Sequence, residues 1–241
     1  MDGFKRFFVE SELTLKYHDQ LNSKIWSGKK LKAEVREHLL KIAEQWRQSA
    51  KIPKNAIKDI LLTGGNANYN YTKFSDLDVH LLVDKKLIAD CESKILDDYL
   101  KDKKAMWTLN HDIKVYGFPV ELYAQDISEK TPSNQGVFSL RDDKWISEPQ
   151  KEKVDLTDPA LKRKVSALKH TIDLFIQQKS EDVEKMNAFK EKLRNMRSAA
   201  IQKGGEFSLE NLAFKELRNI GYLDKFSNYI KNITDLSLSL S

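Results

Sequence analysis

Hydrophobic and polar positions follow two regimes along the chain. Up to about residue 150, short apolar runs alternate with polar turns; from Pro159 onward apolar residues recur every three or four positions. The first regime predicts strands separated by helices, the second a succession of helices. Residues 11–26 are polar and mixed, and predict a short helix or an irregular lead-in. Leu31, Val35, Leu39, Ile42 and Trp46, spaced four, four, three and four apart, predict an amphipathic helix that starts near Ser27-Gly28 and ends before Pro53. Residues 57–62 predict a strand running into Thr63-Gly64-Gly65. Residues 77–83 predict a second strand, apolar on both faces towards its end and hence central. Residues 88–107 predict a helix with Ile88, Cys91, Ile95, Tyr99 and Leu100 near one face. A hairpin follows, pairing 112–116 with 119–123 across Gly117-Phe118. Another pairs 137–140 with 144–146 across Arg141-Asp142-Asp143.

The change of regime is marked by Asp158-Pro159, an aspartate that can cap a helix and a proline suited to its first position. Leu161, Val165, Leu168, Ile172 and Phe175 then make one helix face. Val183, Met186, Leu193, Met196 and Ile201 make the next, ended by Gly204-Gly205. Ser208 can cap a short helix carrying Leu212 and Leu217, closed by Gly221, and a last helix covers 223–233. The expected organisation is a lead-in over 1–26, an α+β domain over 27–154, and a helical domain over 155–241.

Composition narrows this little. The 241 residues are 40% hydrophobic and 32% charged, with no apolar run long enough to span a bilayer. The first residues lack the apolar stretch and cleavage site of a signal peptide, and the single cysteine excludes an internal disulfide or a cysteine zinc site. A cytoplasmic protein is expected, with no membrane partner. Charge is more informative. Net charge is +5, and residues 159–241 hold 15 Lys+Arg against 10 Asp+Glu while the first 158 balance at 26 against 26. A basic helical lobe attracts polyanions such as RNA, although a solvated lysine surface has the same composition.

The candidate chemistry lies in Thr63-Gly64-Gly65, ten residues, then Ser75-Asp76-Leu77-Asp78 opening a strand. Aspartates two apart on a strand point to one face. Their mutual repulsion is relieved by a divalent cation, and Mg²⁺ favours oxygen ligands shared with substrate phosphates. A Gly-Gly turn lets backbone N–H groups approach a phosphate closely.

This arrangement resembles the signature of the polymerase-beta-like nucleotidyltransferases: a Gly-Gly or Gly-Ser pair, about ten residues, then Asp-x-Asp. The resemblance covers residues 57–126, with Ser75 a common choice before the first aspartate. It implies a mixed sheet with flanking helices, and a third acid on a later strand, a position Glu121 matches. Asn66-Ala67-Asn68-Tyr69 and Phe207-Ser208-Leu209-Glu210-Asn211 are further similar to uncharacterised nucleotidyltransferase-like proteins of tailed bacteriophages, which for a phage protein means the host cytoplasm. The resemblance implies Mg²⁺ or Mn²⁺ held by Asp76, Asp78 and Glu121, and an NTP, with ATP expected, at Gly64, Gly65, Asn66 and Ser75. It also implies transfer of an NMP group to an acceptor hydroxyl on RNA, a protein or a small molecule, with the helical lobe placing an RNA or protein acceptor.

Several residues carry two readings. Glu121 is a metal ligand, a general base, or the cross-strand ion-pair partner of Lys114. Asp112 and Asp126 are fallback acids. Asn66, Asn68 and Asn70 bind nucleotide or shape the turn; Tyr69, Tyr71 and Phe74 stack on a base or pack the loop. Lys73 suits a phosphate or a solvated surface, and His80 shares a strand face with the aspartates. The spacing of Arg163 and His170 found in some helical ribonuclease toxins is taken as chance, because Lys164 replaces the polar residue expected after the arginine. Two alternatives remain: a non-catalytic nucleotide- or protein-binding module, and a second-messenger synthase, which shares the transfer chemistry and which Asn66–Asn70 disfavours.

Overall fold

In a computed structural model, residues 12–129, 135–152 and 154–240 are described. They form a mixed α+β protein with eight strands and six α-helices among the described residues. The chain divides into two compact units: one comprises residues 17–152, the other residues 12–16 together with 154–240.

The first unit opens with a small antiparallel hairpin, β1 (Trp26–Ser27) and β2 (Lys30–Leu31). Ser27-Gly28, expected to start a helix, instead lies at this hairpin's turn, with Gly28 at a φ of +61°. Helix α1 (Ala33–Ser49) follows and buries Val35, Leu39, Ile42, Ala43 and Trp46, the stripe its periodicity predicts. Strands β3 (Ile57–Thr63) and β4 (Leu77–Val83) pair antiparallel. Helix α2 (Ser93–Asn110) then carries the chain to a tight hairpin, β5 (Lys114–Val115) with β6 (Phe118–Asp126). Strands β7 (Val137–Ser139) and β8 (Lys144–Ser147) complete one six-stranded sheet in the order β5-β6-β4-β3-β7-β8. Only β4 and β6 run parallel, which requires the crossover that α2 supplies.

Strand β4 is interior, as expected, but its burial alternates strictly: Leu77, Val79, Leu81 and Val83 enter the core, while Asp78, His80 and Leu82 face the other side. The apolar face packs with Leu39, Trp46, Leu96, Leu100 and Leu122. The buried residues of α2 are Leu96 and Leu100, four apart; Ile95 is exposed, as is Cys91, so the expected face is rotated. The turn of the β5–β6 hairpin is Tyr116-Gly117, both at positive φ, one residue earlier than expected.

The second unit begins as its sequence requires. Asp158 accepts a hydrogen bond from Ala160 N at 2.7 Å, with Pro159 in the first turn of α3 (Pro159–Gln177). Helices α4 (Val183–Gly204), α5 (Leu209–Asn219) and α6 (Tyr222–Leu238) follow. Leu161, Val165, Leu212 and Leu217 form one core, and Ile172, Met186, Phe226 and Ile230 another. The segment read as a lead-in is split between units. Thr14, 202 residues away in sequence, donates to the buried Glu216 carboxylate through its N (2.9 Å) and Oγ1 (2.6 Å). Asn219 Nδ2 in turn donates to Thr14 Oγ1.

A candidate metal centre on the open face of the sheet

Strand register assembles the site. Asp78 is paired with Thr63 on β3 and with Glu121 on β6. Partners in adjacent strands point their side chains to the same face, so Asp78 and Glu121 stand side by side, and Asp76, two residues earlier, shares that face. One ligand atom from each of Asp76, Asp78 and Glu121 lies within 4.8 Å of the others. The two aspartates are half-buried and the glutamate exposed. Three carboxylate oxygens at this spacing suit a hard divalent cation.

The glycine turn is shaped around this group. Gly64 has a φ of +75°, and a Cβ there would lie 1.7 Å from Asp78 Oδ2. A side chain at position 64 and the Asp78 carboxylate therefore exclude each other. At Gly65 a Cβ would meet Ser75 Oγ at 3.0 Å, while Ser75 Oγ accepts from Thr72 N at 2.9 Å. Gly65–Ala67 forms one 3-10 turn, closed by Ala67 N donating to Gly64 O and Asn68 N to Gly65 O.

Asn66 is fully buried and its amide is engaged at both ends. Nδ2 donates to the Asp76 carbonyl at 2.8 Å, and Oδ1 accepts from Asn22 Nδ2 at 2.8 Å; the Asn66 carbonyl accepts from Trp26 Nε1. It thus fixes the peptide of Asp76 instead of presenting its amide to solvent. Asn68 does similar work, donating to Gly64 O at 2.7 Å and accepting from Gly136 N at 2.8 Å. A Cβ at Gly136 would lie 2.1 Å from the Ala67 carbonyl, so that glycine clamps the turn from β7's side. Asn22, Trp26 and Gly136 have no signal in sequence, because each acts across a separation of at least 40 residues.

The remaining candidates separate clearly. Tyr69 is buried, and Tyr71 stacks on His18 with ring centroids 3.8 Å apart, so both build the loop. Phe74 is exposed, with the Lys73 ammonium over its ring. His80 Nδ1 donates to Gln125 Oε1 at 2.8 Å, and burial holds its imidazole below the ordinary 6.5. Asp112 accepts from Lys114 at 2.7 Å, and Asp126 from Ser128 and Lys85 N; neither belongs to the acidic group. Glu121 is not the partner of Lys114, because the earlier turn puts Lys114 opposite Pro119. Its partner is Lys104 on α2, whose Nζ donates to Glu121 Oε2 at 3.2 Å.

Among the described residues, no helix is long and apolar enough to cross a membrane. Comparison with known protein families, curated proteins and solved structures found no match.

Proposed function

We propose that the chain is a nucleotidyltransferase of the polymerase-beta-like kind, moving an NMP group from an NTP to an acceptor hydroxyl with release of pyrophosphate. The observation that supports this best is the convergence of Asp76, Asp78 and Glu121 beside a glycine turn that leaves room for Asp78 alone. Mg²⁺ or Mn²⁺ at these carboxylates would neutralise phosphate charge and acidify the acceptor hydroxyl. Asp76 and Asp78 would hold the ion on the phosphate side. Glu121 would either complete the ligand set or receive the hydroxyl proton. Gly65, half-buried at the start of its turn, offers the backbone N–H that a phosphate oxygen would meet, while the fully buried Asn66 fixes the turn. In the transfer, the acceptor oxygen bonds to the α-phosphorus and the bond to the pyrophosphate oxygen breaks. ATP is the expected donor. RNA or a protein, placed by the basic helical unit, is the expected acceptor.

Incubation with NTPs labelled at the α- or the γ-phosphate, Mg²⁺, and RNA or protein acceptors tests this. Label should pass to an acceptor from the α-position only, and Asp76→Ala/Asp78→Ala should abolish it. Transfer from the γ-position, or equal labelling by the double variant, would overturn the proposal. Tight NTP binding without transfer would favour the binding-module alternative.

A further inference from the structure

Three carboxylates within 4.8 Å of one another repel, and the chain itself already answers part of that repulsion. Lys104 Nζ donates to Glu121 Oε2 at 3.2 Å. The pair is open to solvent, with side-chain exposures of 34% for Lys104 and 50% for Glu121, so it is a weak and exchangeable contact and not a buried strut. Lys104 also lines a cavity of about 390 Å³ with Lys85, Lys101, Leu100 and Tyr123. The other cations of that cavity are placed differently. Lys85 is paired with Asp97 (2.7 Å) and Glu129 (3.3 Å), which outweigh burial and hold its ammonium above the ordinary value. Lys101 reaches only Asp98, at 3.6 Å and in solvent. Lys104 is the lysine that borders both the cavity and the acidic group.

We propose that Lys104 is an exchangeable counter-ion of the metal centre. It holds Glu121 until a divalent cation takes that carboxylate, and its displaced ammonium then binds the polyphosphate that arrives with the cation. The inference rests on the nucleotidyltransferase reading of Asp76, Asp78 and Glu121. An ammonium and a divalent ion sharing one carboxylate are like charges in proximity, so each weakens the hold of the other. Mg²⁺ commonly shares its coordination with substrate phosphates, so anionic oxygens come to the same place from which the ammonium has been released. A lysine that served only as half of a surface ion pair would weaken the cation by its charge but would not hold the polyphosphate. Exchange predicts two effects of opposite sign.

The test titrates Mn²⁺ alone into the full chain, following free ion by electron paramagnetic resonance, and then titrates pyrophosphate with Mn²⁺ saturating. Lys104→Gln should bind Mn²⁺ about 1.5- to fivefold more tightly than wild type, the span of an exposed charge pair, and pyrophosphate weaker by a similar factor. Lys104→Arg, which keeps the charge, should return Mn²⁺ affinity to the wild-type value. Lys101→Gln should leave the Mn²⁺ titration unchanged. Mn²⁺ binding by Lys104→Gln that is no tighter than wild type overturns the exchange, and so does pyrophosphate binding that is no weaker. Failure of the metal centre itself has a different signature: wild type binds no Mn²⁺, or binds it equally after Asp76→Asn/Asp78→Asn, and both proposals fall together.

Discussion

At Gly64 the demands of conformation and space coincide, since φ is +75° and a Cβ would lie 1.7 Å from Asp78 Oδ2. Gly64→Ala must displace the carboxylate or refold the turn. We expect it to cost about 1–3 kcal/mol in urea melts and to weaken Mn²⁺ binding at least tenfold; an alanine variant with normal stability and binding would contradict this. Asn66→Ala should also cost about 1–3 kcal/mol, because it strands the buried Asn22 amide and the Asp76 carbonyl, and denaturation midpoints will show it. Asp76, Asp78, Gly64 and Gly65 were legible in the sequence because their relation is local: a spacing and an alternation. Glu121 could be placed on a strand, but its neighbours could not be read. Two positive-φ residues, Tyr116 and Gly117, set the turn one residue early and exchanged Lys114 for Lys104. A tyrosine at positive φ is not a turn signal that sequence patterns reveal.

At the scale of elements, the end of α1 offers a pH-dependent prediction. Arg47 Nε and Nη2 donate to the Glu44 carboxylate at 2.7 and 2.8 Å and hold it down to about 2, while Arg47 Nη1 donates to the Ile52 carbonyl just beyond the helix. A depressed carboxyl contributes stability that is complete above its ordinary 4.5 and is lost as pH falls from there to about 2. Glu44→Gln should therefore destabilise the protein at neutral pH by about 1 kcal/mol or less, given the solvent exposure of the pair, and flatten the acid limb of the stability curve between those values. Equal slopes for the two proteins would refute it. In the helical unit, Asp158→Ala removes the cap of α3 and should cost about 1 kcal/mol in urea melts, leaving Mn²⁺ binding unchanged. The cap and the apolar stripes of α1 and α3 were readable because helical period and capping chemistry are short-range. The β1–β2 hairpin was not, since two-residue strands carry no alternation. The face of α2 was misassigned because Ile95 and Leu96 are adjacent apolar residues, and only packing against the sheet decides between them.

For the molecule as a whole, the sequence told of an α+β region followed by helices, and the structure has both. What it could not tell is the order of the sheet, the parallel register of Asp78 with Glu121, and the attachment of Thr14 to Glu216. All three are pairings between distant segments, which local patterns do not encode. The basic excess of residues 159–241 belongs to this scale. If that unit places an RNA acceptor, binding to single-stranded RNA should weaken steeply with salt. Replacing the exposed Lys185, Lys192 and Lys203 of α4 by glutamine should then reduce the slope of log K against log salt by about 2. An unchanged slope would remove these lysines from the acceptor surface, and absence of RNA binding would direct the search to a protein acceptor.

The most direct test of the central claim is a crystal structure of the chain with Mn²⁺ and a non-hydrolysable NTP analogue, with anomalous scattering used to locate the ion. The account predicts a manganese peak coordinated by Asp76, Asp78 and Glu121, with the triphosphate on the Gly64-Gly65 turn and Lys104 withdrawn from Glu121. A nucleotide bound elsewhere, or no manganese among these three carboxylates at saturating ion, would contradict it.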